Sequence, residues 1–225
     1  MNAALGRAHA AAFRDAAPYP HVVIDNFLGA RAREIADAMP APDHAAWKRQ
    51  RYPEQVRLNQ LQKSGFAGCD PALQQFLLEL NAMPMLEFLG ALTGRRDLIG
   101  DPFFVGAGPM LTLRGGHLAI HTDFNRDSAR HLDRVLSILY YVPRAWDPSW
   151  GGALELWDRE RTHCIKRIEP VLDRMVVMAY GDDHWHGHPT PLECPDHAAR
   201  AVVTAHYFAA RYSPSDDAEA HGAKW

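Results

Sequence analysis

The sequence predicts a mostly β chain with flanking helices, of the α+β class, and three observations carry that reading. Downstream of Gly100, short apolar runs rich in β-branched and aromatic residues alternate with Gly, Pro, Asp and Asn, the texture of many short strands and hence of a sandwich or barrel. Upstream, leucine and phenylalanine recur at helical spacing across residues 71–94. In "GGHLAIHTDF" an imidazole and a carboxylate stand two residues apart, so an extended segment puts both on one face. A metal site in the mouth of such a sheet pair makes the core a double-stranded β-helix (jelly roll), with N-terminal helices packed on one sheet.

Taken in order, alanine-rich residues 3–16 predict a short helix, ended by Pro18 and Pro20. "HVVIDNFL" (21–28) reads as a strand and "GARAREIADAMP" (29–40) as a helix stopped by proline. The polar stretch 41–68, punctuated by Trp47, Tyr52 and Phe66, reads as an ordered loop or lid. "PALQQFLLELNAM" (71–83) and "PMLEFLGALTG" (84–94) predict two helices, the first opened by Pro71 and the second stopped by Gly94. Strands are expected in "PMLTLR", "HLAIHT", "RVLSILYYV", "ALELWD", "HCIKRIEP", "RMVVMAY" and "RAVVTAHYFAARY", with a polar loop at 124–133 and Gly151-Gly152 as a tight turn. The organisation expected is one domain: a strand and helices over 1–99, a jelly-roll core over 100–212, and a frayed polar tail over 213–225.

Composition excludes several classes. Of 225 residues 47% are hydrophobic, enough for a sizeable core, and the net charge of -3 gives no basic field for nucleic acid or an anionic membrane. The three scattered cysteines (Cys69, Cys164, Cys194) form no C-x-x-C pair, so neither a disulfide framework nor a cysteine-rich zinc site is expected. No basic, then apolar, leader and no run of about 20 apolar residues is evident, which points to the cytoplasm. Oligomeric state is not readable.

His121 and Asp123 supply two thirds of a 2-His-1-carboxylate facial site, which leaves positions open on non-haem Fe(II). His186, in "DDHWHGHP", is the candidate third ligand; His184 and His188 share its alternation parity, so parity does not choose among them. Arg200 can hold a carboxylate through its planar fork. His206, six residues on, shares its parity and either faces the pocket or belongs to the core.

The ordered set "RGGHLAIHTDF", "LSILYYVPRAWDPSWGGALELWD", "IEPVLDRMVVMAYGDDHWHGHPTPLECP" and "RAVVTAHYF" resembles the 2-oxoglutarate- and Fe(II)-dependent dioxygenases of the prolyl 4-hydroxylase-like superfamily, over roughly residues 100–210. The resemblance implies His121, Asp123 and His186 as iron ligands, and selects His186 over its neighbours. It implies Arg200 and Tyr141 as the clamp on the distal carboxylate of 2-oxoglutarate. Leu111 stands near where many relatives carry a tyrosine, so Thr112 beside it is the candidate to supply a hydroxyl. Met178 replaces a frequent phenylalanine and Pro143 a frequent asparagine. The implied reaction consumes O2 and 2-oxoglutarate, releases succinate and CO2, and hydroxylates an unactivated C–H of an amino acid, a peptidyl or carrier-bound residue, or a related small molecule; ascorbate assists such assays. Asp123 favours hydroxylation over halogenation, because halogenating relatives have a small residue there. Two other readings are a cupin-like metalloenzyme without 2-oxoglutarate and a non-catalytic jelly-roll binding module; Arg200, Tyr141 and the triad argue against both. Substrate contacts are expected from 41–68 and from Asn125, Arg126, Asp127, Arg130 and Asp133, because specificity tends to reside on loops.

Overall fold

The computed structural model describes residues 2–45, 47–59, 66–210 and 220–225. The N-terminal third holds α1 (Ala3–Arg14), β1 (His21–Ile24), α2 (Arg31–Asp37), β2 (Lys48–Tyr52), β3 (Gln55–Asn59), α3 (Pro71–Leu80), α4 (Met83–Thr93) and β4 (Ile99–Gly100). The core follows with β5 (Gly108–Thr112), β6 (His117–His121), β7 (Arg126–Asp127), β8 (Leu132–Tyr141), β9 (Leu154–Trp157), β10 (Cys164–Ile168), β11 (Arg174–Ala179), β12 (His186–His188) and β13 (Arg200–Ala210).

The strands pair antiparallel in two runs, β1-β11-β8-β13-β5 and β6-β12-β9-β10, with β3 pairing both β5 and β6 and so joining them. Alternation sorts each strand of the first run between two cores. Leu136, Ile138 and Tyr140 of β8, with Ala201, Val203, Ala205 and Tyr207 of β13, pack with Leu73, Phe76, Leu80, Phe88 and Leu92 of the helices. On the opposite face Tyr141, Val176, Met178 and Val202 meet Leu154, Leu156 and Ile168 of the second run. One face is therefore covered by helices, as the sequence predicts, and the other looks into the space between the runs.

Local chemistry sets the helix limits. Asn2 caps α1 through Leu5 N–H at 3.1 Å, and Asp70 caps α3 through Ala72 N–H at 2.9 Å. Gly94 ends α4 in the left-handed region, φ +78°. A Cβ on Gly6 would stand 2.2 Å from the Phe88 carbonyl oxygen, so α1 and α4 touch backbone to backbone there. Among the described residues no single helix is long and apolar enough to cross a membrane.

Four expectations need correction. Residues 41–68 are not simply a loop, because Lys48–Tyr52 and Gln55–Asn59 form a hairpin about Pro53-Glu54. Lys48, Arg49, Arg51 and Tyr52 are all exposed, so β2 shows no apolar alternation to read. β1 stops at Ile24 rather than Leu28: Asn26 turns the chain at φ +54°, and Leu28 and Gly29 donate their N–H groups to Asp173 instead of a ladder. The short strands β4, β7 and β12 lie where no strand is predicted. The tail is not frayed throughout, since residues 220–225 fold back onto Thr122; Arg211, Tyr212 and 213–219 lie outside the described residues.

Candidate active site

β6 delivers His121 at its last position, and β12 lies beside it with His186 directly opposite His121. Asp123 follows just past the end of β6. Thr122, between the two, is fixed by an isolated bridge to Lys224. The His121 and His186 Nε2 atoms stand 3.7 and 3.6 Å from the two Asp123 oxygens. One ligand atom from each of the three residues falls within 4.8 Å of the others, a geometry that can hold one metal ion.

The tautomers suit a metal. His121 Nδ1 donates to the Ala119 carbonyl at 2.9 Å and His186 Nδ1 to the His184 carbonyl at 3.0 Å, which leaves each Nε2 with its lone pair toward Asp123. Burial pushes His186 down to about 4, so its imidazole is neutral at pH 7. Burial pushes the Asp123 carboxyl up, but Arg134 and the two imidazoles outweigh it and hold the group well below the ordinary carboxylate range. Two imidazoles and one carboxylate are the donor set of a facial site.

The triad opens on a cavity of about 240 Å³ that Arg134, Arg200, His206, Phe124 and Trp225 also line. Arg200 heads β13 and is 4% exposed. Its Nε donates to the Gly152 carbonyl at 2.8 Å and its Nη2 to the Tyr141 hydroxyl at 3.0 Å. Among the described residues no carboxylate lies within ion-pair distance of it, although an unpaired buried cation costs several kcal/mol. Burial pushes the Tyr141 phenol up, so it keeps its proton. Because its oxygen accepts from Arg200, that proton is left to donate elsewhere. Thr112 is buried and sits opposite Arg200 in the β5–β13 register, but it is not among the residues that line the cavity.

Arg134 carries no role in the sequence-based expectations. A bulge in the β8–β13 register, where Tyr207 faces Leu136 but Phe208 faces Arg134, skips Val135 and turns Arg134 to the cavity side. Its Nη2 bonds Asp123 Oδ2 at 2.6 Å, Ser137 at 2.9 Å and His206 Nδ1 at 2.7 Å. Its Nε and Nη1 are buried without a partner. Since the guanidinium only donates, His206 Nδ1 accepts, and its Nε2–H faces the Gly106 carbonyl at 3.2 Å. Burial and then Arg134 push His206 down to about 3. His206 therefore belongs to the cavity, in its neutral form.

The other residues singled out fall elsewhere. His184 stacks on Tyr19 (4.2 Å, 7°) and bonds the Ala179 carbonyl at 2.8 Å, whereas His188 is buried and lines the cavity. Arg126 pairs with Asp133 at 2.8 Å, Arg130 with Asp127, and Asn125 accepts from His221 N–H, so none of the five expected loop contacts lines the cavity. Of the described residues in 41–68, Gln50 and Gln55 reach it.

Residues 110–208, which hold every one of these ligand candidates, match the model of the 2OG-Fe(II) oxygenase superfamily. Over that span the chain is similar to 2-oxoglutarate- and Fe(II)-dependent oxygenases. No curated protein matches the sequence. Among solved structures, a prolyl-4-hydroxylase of Pseudomonas putida is similar with a TM-score of 0.60 at 21% identity, over 90% of this chain and 98% of that one. A prolyl hydroxylase of Trichoplax adhaerens, solved with a hypoxia inducible factor oxygen degradation domain peptide fragment, gives 0.58 at 17%, over 92% and 89%. HygX of Streptomyces hygroscopicus, solved with nickel, 2-oxoglutarate and hygromycin B, gives 0.50 at 11%, over 85% and 83%. These likenesses show the fold, the double-stranded β-helix of prolyl 4-hydroxylase-like oxygenases.

Proposed function

We propose that His121, Asp123 and His186 hold the Fe(II), that Arg200 with Tyr141 holds the distal carboxylate of 2-oxoglutarate, and that the chain is a dioxygenase that hydroxylates an unactivated C–H of a single amino-acid residue, free or attached to a peptide or carrier. The observation that carries the reading is Arg200: a buried guanidinium, open to the same cavity as the triad, with a carbonyl and a phenol for neighbours and no anion among the described residues. A ligand carboxylate supplies the missing charge through a charge-assisted fork. Iron and 2-oxoglutarate, when bound, supply oxidative decarboxylation to succinate and CO2 and the hydroxylation coupled to it.

The chain's own residues bind and orient. Ala119 and His184 carbonyls fix the two imidazole rings. Arg134 keeps Asp123 ionised and takes one of its oxygens. The two unpartnered Arg134 nitrogens offer donors to an acceptor oxygen of the prime substrate. The cavity volume lies below the usual range for drug-sized ligands, so beside the cosubstrate it admits one residue rather than a long chain. The Trichoplax enzyme's peptide and the HygX ligand hygromycin B are consistent with either a peptidyl or a small-molecule source.

The test is succinate formation from 2-oxoglutarate by purified protein with Fe(II) and ascorbate. His121→Ala and His186→Ala are expected to abolish both iron binding and turnover. Iron binding kept in His186→Ala and lost in His188→Ala would reassign the third ligand. Turnover unaffected by Arg200→Ala would refute the clamp, and no succinate from the wild type would favour a cupin-like enzyme that does not use 2-oxoglutarate.

A further inference from the structure

Residues 220–225 are stitched to both loops that carry the triad. Thr122 N–H donates to the Lys224 carbonyl at 2.9 Å and Lys224 N–H to the Thr122 carbonyl at 3.1 Å, so the segment runs as a strand partner beside the residue between His121 and Asp123. His221 N–H donates to Asn125 Oδ1 at 2.9 Å. The His221 imidazole stands 3.1 Å from Asp182, and Lys224 Nζ 3.7 Å from the other Asp182 oxygen, on the loop that leads into His186. This fixing places the Trp225 indole 5.0 Å from the His121 ring, inclined by 33°. Trp225 and Ala223 line the triad's cavity, yet Trp225 stays 39% exposed.

A tryptophan ring that contacts a ligand histidine, lines the cavity and stays partly exposed is a surface suited to an apolar group, because leaving it in water forfeits much of the burial its area offers. An indole face also attracts cations. Here, however, the cavity already holds the Arg134 and Arg200 guanidinium groups against Asp123, the one carboxylate among the described residues that line it. That field repels a second cation and admits apolar or anionic groups.

We propose that Trp225 is a specificity-determining residue: its indole forms the apolar wall of the prime-substrate subsite and takes the side chain of an apolar amino-acid residue whose acceptor oxygen is held by Arg134. The proposal rests on the reading of this cavity as the iron and 2-oxoglutarate site. One chemistry serves two sources. A free amino acid presents a carboxylate to Arg134, and a peptidyl residue presents a carbonyl.

The experiment is calorimetric titration of wild-type, Trp225→Ala and Trp225→Phe proteins, each loaded with Co(II) and 2-oxoglutarate without O2. The probes are L-leucine, L-isoleucine, L-proline and L-phenylalanine, their N-acetyl methylamides, and L-lysine as the cationic counter-probe. Succinate formation by the Fe(II) proteins in air is the second readout. We expect at least one apolar probe to bind and to stimulate succinate formation, and lysine to do neither. Trp225→Ala should weaken that probe at least tenfold and Trp225→Phe less than threefold, with 2-oxoglutarate affinity within twofold of wild type. Preference for the free acid or the methylamide tells the two sources apart. A probe affinity unchanged by Trp225→Ala overturns the wall. Equal losses for probe and 2-oxoglutarate overturn it too, since Trp225 would then act through His121. Silence of every apolar probe overturns the substrate class. Failure of the wild type to bind 2-oxoglutarate is a separate result that sinks the underlying reading of the site.

Discussion

His186 stands directly opposite His121 across the β12–β6 pair, and Gly187 allows the two strands to approach. A Cβ on Gly187 would lie 2.6 and 2.8 Å from the Ala119 and Leu118 carbonyl oxygens, both backbone atoms without a rotamer to yield. Gly187→Ala is therefore expected to push β12 off β6 and spread the triad, with an overpacking cost of about 1–3 kcal/mol. Metal affinity by equilibrium dialysis should fall at least about tenfold per 1.4 kcal/mol that reaches the site. Wild-type affinity in Gly187→Ala would show that the strand pair tolerates the methyl group.

The proposed clamp gives a graded series. Arg200→Ala removes a bidentate, charge-assisted partner from a buried pocket, a loss on the order of 2–5 kcal/mol, or roughly tens to thousands of fold in KM for 2-oxoglutarate. Tyr141→Phe removes one neutral hydrogen bond, about 1 kcal/mol. Gly152→Ala acts at one remove: its Cβ would stand 3.3 Å from the Arg200 side chain and 3.2 Å from Trp146, at φ +75°. It should raise the same KM by an intermediate amount. Steady-state kinetics at saturating Fe(II) orders the three, and a larger effect from Tyr141→Phe than from Arg200→Ala contradicts the assignment.

Much of this was legible in sequence because the relevant signals are local. Alternation in "RAVVTAHYF" places Arg200, Val202, Thr204 and His206 on one face, and the leucine spacing of α3 and α4 marks their buried stripes. What stayed hidden depends on contacts between distant segments. Arg134 reads as the charged start of an apolar strand, and only the bulge at Val135 turns it toward Asp123. Trp225 sits in a polar stretch, and its place is set by a two-bond pairing with a residue about a hundred positions away. The hairpin 48–59 escapes because its outer strand, Lys48–Tyr52, is mostly charged or polar and shows no apolar alternation. In each case the chain's own pattern is polar, and tertiary pairing supplies the order.

One carboxylate ties the turn after β1 to the sheet. Asp173 is buried, sits at φ +65°, and accepts from Leu28 N–H at 2.7 Å, Gly29 N–H at 2.8 Å and the Tyr140 hydroxyl at 2.8 Å. Asp173→Ala orphans two backbone donors and a phenol, and is expected to destabilise the fold by about 3 kcal/mol. Asp173→Asn keeps one acceptor and tolerates the left-handed backbone, so about 1 kcal/mol is expected. Urea midpoints at constant slope measure both, and equal losses would mean that the charge on Asp173 contributes everything.

The pH dependence of the metal-free protein follows from imidazoles held neutral. An unfolded histidine titrates near pH 6.5. In the fold, burial and Arg134 push His206 down to about 3, and burial pushes His21 down as well. Between about pH 6.5 and the folded values the unfolded chain binds more protons than the native one, so stability rises with pH and is lost as the solution is acidified. Each such group contributes a slope of about 1 kcal/mol per pH unit in that window. Urea midpoints should therefore fall from pH 7 to pH 5. His206→Gln can still accept from Arg134 and donate to the Gly106 carbonyl, but it cannot take up a proton, so its midpoint should fall less over the same range. An identical decline in His206→Gln and wild type would place the acid sensitivity on other groups and show that His206 is not the buried neutral partner of Arg134.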